Sequence, residues 1–317
     1  MLTSFFGKSK PINYVILAVF ITAGFLLELF SEFNDPMSLS FFLANGLYIL
    51  VAVFSMLLFD FIIRKNHLTK INTYAILFFS CFMVMLPVIF LHQDILLANL
   101  FLIFALRRIM SLRSDRNSER KILDASFWIS LAALFYFWSL LFFVPLYIAI
   151  IQKPNLNYKQ MLIPFTGFFT VLVLNTAYQL LVNDSFIWLF EWRDAIGLDF
   201  SNYNSASILI PVAVILAFYI WTGIYRMATL SKVSLKEKSN HILLFYVSVT
   251  CLLIAVAGPE KTGAETLFVL APVSIMAANY IENFQTKRYG ERDTVELWFK
   301  ESMLWLVVIL PFVFVFL

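Results

Sequence analysis

Two short polar turns hold the residues most capable of chemistry in an otherwise apolar chain. The first, SEFNDPMS, carries Glu32 and Asp35, and the second, LHQD, carries His92 and Asp94. A carboxylate can accept a proton from a substrate, and two carboxylates brought together can bind a divalent cation. Because the second turn lies between two long apolar runs, it is either a plain connection between helices or part of a site.

Composition determines the broad class of protein. Hydrophobic residues make up 61% of the 317 residues and charged residues 14%, whereas soluble domains carry about 25% charged residues. The apolar runs cover residues 13–30, 39–63, 72–91, 95–110, 122–151, 161–182, 206–226, 241–257, 265–282 and 301–317. Backbone in lipid must satisfy its own hydrogen bonds, and these runs are too long for barrel strands. The sequence therefore predicts an all-α, polytopic transmembrane helical bundle of about 9–11 membrane helices. We expect a single membrane domain over residues 1–317.

Other motifs argue against several classes of protein. Cys81 and Cys251 lie inside apolar runs and the three histidines are far apart, so we expect neither a disulfide nor a histidine or cysteine metal site. No glycine-rich phosphate loop and no basic tract interleaved with aromatic residues occurs, so nucleic acid is not an expected partner. The first run, 13–30, lacks a small-residue cleavage site, and we interpret it as a retained span.

The positions of lysine and arginine predict the topology, because cytoplasmic loops are rich in these residues. With a cytoplasmic N-terminus, the loops at 64–70 and 107–121 lie inside. The loop around Asp35 and the turn at His92 lie outside, and neither contains a Lys or Arg. The last span then leaves the C-terminus on the outer side.

The run 122–151 decides the sidedness of the second half of the chain. A single crossing would place most of the later basic residues outside. A short helix pair that enters and leaves on the cytoplasmic side places all 23 lysines and arginines inside except Arg193 and Lys261, so we expect this pair. Two legs of about 15 residues reach about 22 Å, short of the roughly 30 Å hydrocarbon core. The tip should therefore stop below the outer surface.

This topology makes the outer face acidic. Its acidic residues are Glu28, Glu32, Asp35, Asp94, Asp184, Glu191, Asp194, Asp199, Glu260 and Glu265. The positive-inside rule explains the missing bases but does not require so many acids. The segment 183–205 is too polar to span and predicts an outer interfacial helix or loop, and 285–300 predicts a cytoplasmic interfacial helix.

The order of these features resembles the polyprenyl-phosphate-sugar-dependent glycosyltransferases of the GT-C type. The resemblance rests on the acidic loop SEFNDPMS, the run PVIFLHQDILLANLFLIFAL, the helix pair SERKILDASFWISLAALFYFWSLLFFVPLYIAI and the late segment GPEKTGAETLFVLAPVSIMAANYI. It implies a GT-C-like core that transfers a sugar from a polyprenyl-phosphate donor at the outer face of the bacterial inner membrane, with a periplasmic C-terminus. The chain departs from those enzymes in its short first external loop and in lacking an adjacent Asp-Glu pair. The whole chain also resembles a group of bacterial inner-membrane proteins of unknown function.

The resemblance implies catalytic roles for the external acids. Asp35 would deprotonate the acceptor, with Asp94 as second candidate and Glu32 as substitute, and Asp35 with Asp94 could hold a divalent cation. No motif requires a cofactor. Both aspartates have a structural interpretation as well, because Asp35 precedes Pro36 and Asp94 precedes Ile95, and Asp is a preferred helix cap.

The resemblance also implies substrate-binding roles. Arg193 and Lys261 would compensate the charge of the donor phosphate, and His92 would add a hydrogen bond to phosphate or sugar. In the structural interpretation, Lys261 and His92 belong to plain turns, and Arg193 pairs with Glu191 or Asp194.

Two other function classes stay open. One is a non-catalytic subunit of a cell-envelope or export assembly, which would bind another membrane protein. The other is a lipid flippase or transporter, which usually has inverted repeats or charged residues at mid-membrane. The chain has no convincing repeat and almost no mid-span charge, so this class ranks last. In every case the protein is in contact with membrane lipids.

Overall fold

The chain is almost entirely helical in a computed structural model, which describes residues 1–32, 39–114, 116–153, 157–232, 235–282 and 294–315. The α-helices in these ranges are α1 (Leu2–Phe6), α2 (Pro11–Glu32), α3 (Leu39–Lys65), α4 (Tyr74–Met85), α5 (Gln93–Met110), α6 (Ser118–Phe135), α7 (Phe143–Ile151), α8 (Tyr158–Asn183), α9 (Trp188–Glu191), α10 (Ala206–Thr229), α11 (Leu235–Ala257), α12 (Leu267–Glu282) and α13 (Thr294–Val315). Short 3-10 helices lie at Pro87–Phe90, Phe137–Phe142, Ser201–Asn204, Leu230–Lys232 and Ala264–Thr266. No strand occurs in these ranges, and the predicted all-α polytopic class is confirmed.

Six of the described helices are long and apolar enough to cross a membrane, namely α2, α3, α8, α10, α11 and α12 with the 3-10 turn before it. Two shorter apolar stretches are α4 and residues 137–151. Helices α5 and α6 are less apolar because each carries charged side chains near an end, such as Arg108 in α5 and Asp124 in α6.

Helices α4 and α12 form the centre of the bundle. Every residue of both helices is buried, as expected for helices that are apolar all round. They pack against each other, with α2 and α13 beside α4, and with α10 and α11 beside α12. The other spans therefore surround a central pair and present their remaining apolar surface to lipid.

A buried carboxylate joins the ends of the two central helices. Glu282, the last residue of α12, accepts hydrogen bonds from the Lys70 backbone N–H at 2.9 Å and from the Asn72 amide at 2.5 Å. The Asn72 side-chain oxygen accepts a hydrogen bond from the Tyr74 N–H at 3.1 Å, at the first residue of α4. The start of α4 is thus held against the end of α12.

Helices α6 and α7 form the predicted pair that returns to its own side. The chain reverses at Tyr136, whose backbone is extended, and comes back through a 3-10 turn and α7. Lys153 after α7 donates to the Gln160 side chain at 2.8 Å, and Gln160 donates to Ser118 at the start of α6 at 3.3 Å. Both ends of the pair therefore lie at the same end of the bundle, which confirms the predicted reversal.

Basic residues gather at that end, which we call the basic end and define by the loops 64–73, 107–121, 152–160 and 226–241. Contacts join the elements at this end: Arg107 lies over the ring of Phe61, near the end of α3, at 5.0 Å, and Ser239 donates to Gln152 at 3.0 Å. Among the described residues, the basic side chains away from this end are Arg193 and Lys261, as the charge count predicts.

The two predicted interfacial segments differ in structure. Within 183–205 the helical parts are the single turn α9 and the 3-10 turn Ser201–Asn204, and the rest is irregular. Residues 285–293 lie outside the described ranges, and residues 294–300 form the first turns of α13.

The packing of α8 on α6 generates a stability prediction. A Cβ added at Gly167 would lie 2.8 Å from Ser126 Cβ and 3.1 Å from the Phe127 backbone nitrogen. We expect Gly167→Ala to force α8 and α6 apart and to destabilise the protein by about 1–3 kcal/mol, seen as a lower melting midpoint in detergent. The matched control is Gly46→Ala in α3, where nothing lies within 4 Å of the added atom. Equal melting of the two variants would contradict this packing role.

The separation of charges generates a topology prediction. The native thiols of Cys81 and Cys251 are buried and should not react with a membrane-impermeant maleimide. We expect Arg193→Cys to be labelled in intact cells and Arg113→Cys only after lysis, since both positions are exposed and lie at opposite ends of the bundle. Labelling of both positions from one side would contradict the charge separation, and the reverse pattern would invert the orientation.

Candidate functional site

Four stretches meet at the end of the bundle opposite the basic loops, which we call the acidic end: residues 87–94, 136–139, 184–205 and 258–266. Trp192 donates through its indole nitrogen to the Ala133 carbonyl at 2.6 Å, near the tip of the helix pair. A Cβ added at Gly263 would lie 3.7 Å from Val88 Cγ1, so the loop before α12 contacts the turn before α5. The polar segment after α8 therefore lies over the tip of the pair.

Lys261 holds the end of α11. Its ammonium group donates to the carbonyls of Ala255 at 3.1 Å, Val256 at 2.6 Å and Gly258 at 2.7 Å. The side chain is 1% exposed, and an ammonium has three donors, all of which are used here. Burial lowers the pKa of Lys261, although the nearby Glu265 carboxylate opposes this. In this conformation Lys261 has no donor left for a phosphate.

Glu265 holds the polar segment against the loop. One carboxylate oxygen accepts from the Tyr203 hydroxyl at 2.8 Å, and the other accepts from the Gly263 N–H at 2.9 Å and the Thr262 hydroxyl at 3.3 Å. Glu265 is 1% exposed. Burial, reinforced by the Glu265 charge, raises the pKa of Tyr203, so this hydroxyl remains a donor. Lys261 and Glu265 are thus both used internally.

Asp194 and Glu260 bring two carboxylates into the same neighbourhood. A Cβ added at Gly197 would lie 1.9 Å from the Pro259 carbonyl oxygen, so the two backbones around these acids are in close contact. Partial burial raises the pKa of Asp194, and the Glu260 charge raises it further. A carboxyl with a raised pKa is a better proton acceptor near neutral pH than an ordinary one.

Aromatic rings of the polar segment cluster against the tip of the helix pair. Trp192 lies edge-on to Phe137 with ring centroids 5.2 Å apart, and Trp188 lies 6.0 Å from Trp192. The indole nitrogens of Trp138 and Trp188 and the hydroxyl of Ser139 are buried without a hydrogen-bond partner among the described groups. A buried donor without a partner costs about 1–3 kcal/mol, so these donors could be satisfied by an acceptor from outside the described groups.

Asp94 and His92 lie at the start of α5. His92 occupies the cap position without a side-chain cap bond, and Asp94 is exposed in the first turn. The interpretation of Asp94 as the helix cap is therefore wrong, because α5 begins at Gln93 rather than at Ile95. Its charge still suits the positive end of the helix.

Of the other predicted site residues Arg193, Asp35 and Glu32, the structure describes only the side chain of Arg193. Arg193 is exposed and forms no ion pair with Glu191 or Asp194. The alternative expectation that Arg193 pairs with one of these two acids is therefore wrong. Asp35 lies outside the described residues, and Glu32 ends α2 with a side chain that also lies outside them. Within the described ranges no group of three or more His, Cys, Asp or Glu side chains is arranged to hold a metal ion.

Sequence reasoning missed the contacts by which Glu265, Tyr203 and Tyr136 organise this end. Glu265 is counted among the external acids, but nothing in its spacing shows that it is buried. Tyr136 marks the reversal of the helix pair, and its hydroxyl would lie 1.9 Å from a Cβ added at Gly258. One feature of the sequence bears on this contact: the loop GPEKTG begins with a glycine, and only a residue without a Cβ lets Tyr136 approach so closely.

The fold and this end of the bundle define a multi-pass helical membrane protein whose acidic end is covered by a polar, aromatic segment. The chain belongs to a family of unknown function, DUF6427, whose model matches residues 9–317. This confirms the predicted membership in a family of unknown function. No curated protein and no solved structure gives a match, so the resemblance to GT-C enzymes stays a prediction.

The contacts of Lys261 generate a test that separates a structural from a binding role. We expect Lys261→Met to leave three buried carbonyls without donors and to destabilise the protein by about 1–3 kcal/mol or more, measured by thermal unfolding in detergent. Arg193→Gln is the control, since it removes an exposed positive charge at the same end and should leave the melting midpoint unchanged. Unchanged melting of Lys261→Met would contradict the structural role.

Proposed function

We propose that this integral membrane protein transfers a sugar from a polyprenyl-phosphate donor at its acidic end, and that this end faces the periplasm of a bacterial inner membrane. The proposal is carried by one observation: the buried, unpartnered donors of Trp138, Ser139 and Trp188 lie in or beside an aromatic cluster that includes Trp192, two residues from Asp194. The order of motifs that resembles the GT-C enzymes supports the same activity.

The aromatic cluster suits a sugar. Rings of tryptophan offer a flat apolar surface with a polar N–H at one edge, which matches the mixed apolar and hydroxyl faces of a hexose. The indoles of Trp138 and Trp188 supply donors for sugar oxygens, and Ser139 supplies a third. The short helix pair stops at Tyr136, and the segment 184–205 packs on its tip through the Trp192–Ala133 hydrogen bond, so the sugar would bind where these two parts meet.

The reaction requires a base and a compensated leaving group. The acceptor oxygen attacks the anomeric carbon while the bond from that carbon to the donor phosphate breaks, and polyprenyl phosphate leaves with the bonding electrons. The acceptor proton passes to a carboxylate, for which Asp35 is the first candidate and Asp94 the second, with Glu32 as substitute. Asp194 is a further candidate because its pKa is raised.

The donor phosphate requires a cation at the same end. Arg193 takes this role, because its guanidinium is exposed and unpaired, whereas the ammonium of Lys261 caps α11. A guanidinium can donate two parallel hydrogen bonds to one phosphate. His92, half-exposed before α5, adds a hydrogen bond to the phosphate or the sugar.

A second candidate function is a non-catalytic subunit of a cell-envelope assembly. The observation that favours it is the internal use of Lys261 and Glu265, the two charged residues at the acidic end that are fully buried. In that case the acidic end positions a loop for another membrane protein, and no external carboxylate is needed for chemistry.

Lipid analysis of whole cells distinguishes the transferase from the non-catalytic subunit, and the identity of the transferred sugar need not be known. Cells that lack the gene should accumulate a polyprenyl-phosphate-linked sugar, because its consumer is missing. The wild-type gene should restore the normal level, and Asp94→Asn and Asp35→Asn should not, since loss of a general base slows transfer about 10²–10⁴-fold. Asp184→Asn is the matched control: this acid is exposed at the same end, in a left-handed conformation that Asn adopts equally well.

Three outcomes would count against the enzyme. The first is that deletion of the gene changes the level of no polyprenyl-phosphate glycolipid. The second is that every carboxylate variant, at wild-type protein levels, restores the normal lipid profile. A stoichiometric membrane partner that co-purifies with fully functional carboxylate variants would favour the subunit instead.

A further inference from the structure

We infer a second binding site, for a phosphate-bearing anion, in a cavity at the basic end between the end of α5 and the start of α6. The cavity has a volume of about 270 Å³ and is lined by four basic side chains, Arg108, Arg116, Arg120 and Lys121, against one acidic side chain, Asp124. This site is independent of the proposed sugar transfer, which takes place at the opposite end of the bundle.

Two of the basic residues build the wall of the cavity. Arg108 pairs with Asp124 at 2.8 Å, which joins the last turn of α5 to α6. The Lys121 ammonium donates to the Ser111 carbonyl at 2.8 Å and to the Ser114 carbonyl at 3.0 Å, which closes the loop on itself. These contacts neutralise Asp124 and hold the loop in place.

The other two basic residues are free to bind. Arg116 and Arg120 are exposed, and neither forms an ion pair with any described residue. Each guanidinium has several N–H donors in a planar fork that matches two oxygens of a phosphate. Asp115 lies between these residues and Ser114 in the sequence but outside the described ranges. Glu119 is exposed and does not line the cavity.

The start of α6 adds to the attraction. Asn117 precedes this helix in a left-handed conformation, with φ 55° and ψ 38°, and its side chain caps no backbone N–H. The first N–H groups of a helix lack intrahelical partners and carry partial positive charge, which favours an anion beside them. Asn117 itself lines the cavity, so these groups border the same space as Arg116 and Arg120.

The position of the cavity in the fold makes it accessible to phosphate from two sources, the lipid headgroups and the aqueous phase. It lies at the basic end, where α5 ends and α6 begins, and basic loops beside a membrane attract anionic lipid headgroups. A phosphodiester of an anionic lipid and a soluble phosphate would make the same contacts. The chemistry that the site recognises is therefore a phosphate, and experiment can distinguish its two sources.

The full-length protein in detergent tests this site by native mass spectrometry. Dioleoyl phosphatidylglycerol, dioleoyl phosphatidylcholine and inorganic phosphate are the probes. We expect phosphatidylglycerol or inorganic phosphate to bind, and Arg116→Gln combined with Arg120→Gln to weaken that binding by about tenfold or more. The charge-matched control combines Arg113→Gln with Lys159→Gln, two exposed basic residues at the same end that do not line the cavity. It should change binding less than about twofold.

Each outcome has a defined meaning. Selective loss of phosphatidylglycerol in the cavity variant supports a lipid headgroup as ligand, whereas selective loss of inorganic phosphate supports a soluble one. Equal losses in the cavity variant and the control would overturn the site, because the attraction would then be general. Failure of the wild-type protein to bind phosphatidylglycerol or phosphate would overturn it as well. Both variants alter exposed side chains, and equal melting midpoints verify that they fold.

Discussion

The buried carboxylate of Glu282 holds together the ends of α4 and α12, the two helices at the centre of the bundle. It can stay in an apolar interior only while Lys70 and Asn72 donate to it, since an unpaired buried charge costs several kcal/mol. Those donors belong to the loop that starts α4, so the carboxylate keeps the two central helices in one longitudinal register. Near the other end of α12, Glu265 holds the segment around Tyr203. Helix α12 therefore links the hydrogen-bonded loops at the two ends of the bundle.

The acidic end is divided into groups with a structural role and groups that remain available. Lys261 and Glu265 are buried and fully hydrogen-bonded within the protein, and they close the loop before α12. Asp94 and Arg193 are exposed, and the donors of Trp138 and Trp188 have no partner among the described groups. The proposed ligand would use these exposed or unpartnered groups, whereas Lys261 and Glu265 hold the loop before α12 in place.

The sequence predicts the outline of this fold because membrane insertion imposes it. Lysine and arginine favour one side of the membrane, so their positions alone predict that the pair within 122–151 returns to its own side, as the structure shows at Tyr136. The central place of α4 could not be predicted, because an entirely apolar helix can face lipid or protein equally well. The role of Lys261 could not be predicted either, since it depends on where the carbonyls at the end of α11 point. The sequence places Asp94 at the correct connection between α4 and α5, but α5 begins two residues earlier than expected and includes Asp94.

The return of the α6–α7 pair to its own side has a consequence for how this family can vary. A pair that begins and ends beside Gln160 adds no net crossing of the bilayer. Its legs can lengthen, shorten or bend without inverting any helix that follows, whereas the loss of one ordinary span would turn the rest of the chain over. The sidedness of the second half of the chain is therefore independent of the length of this pair.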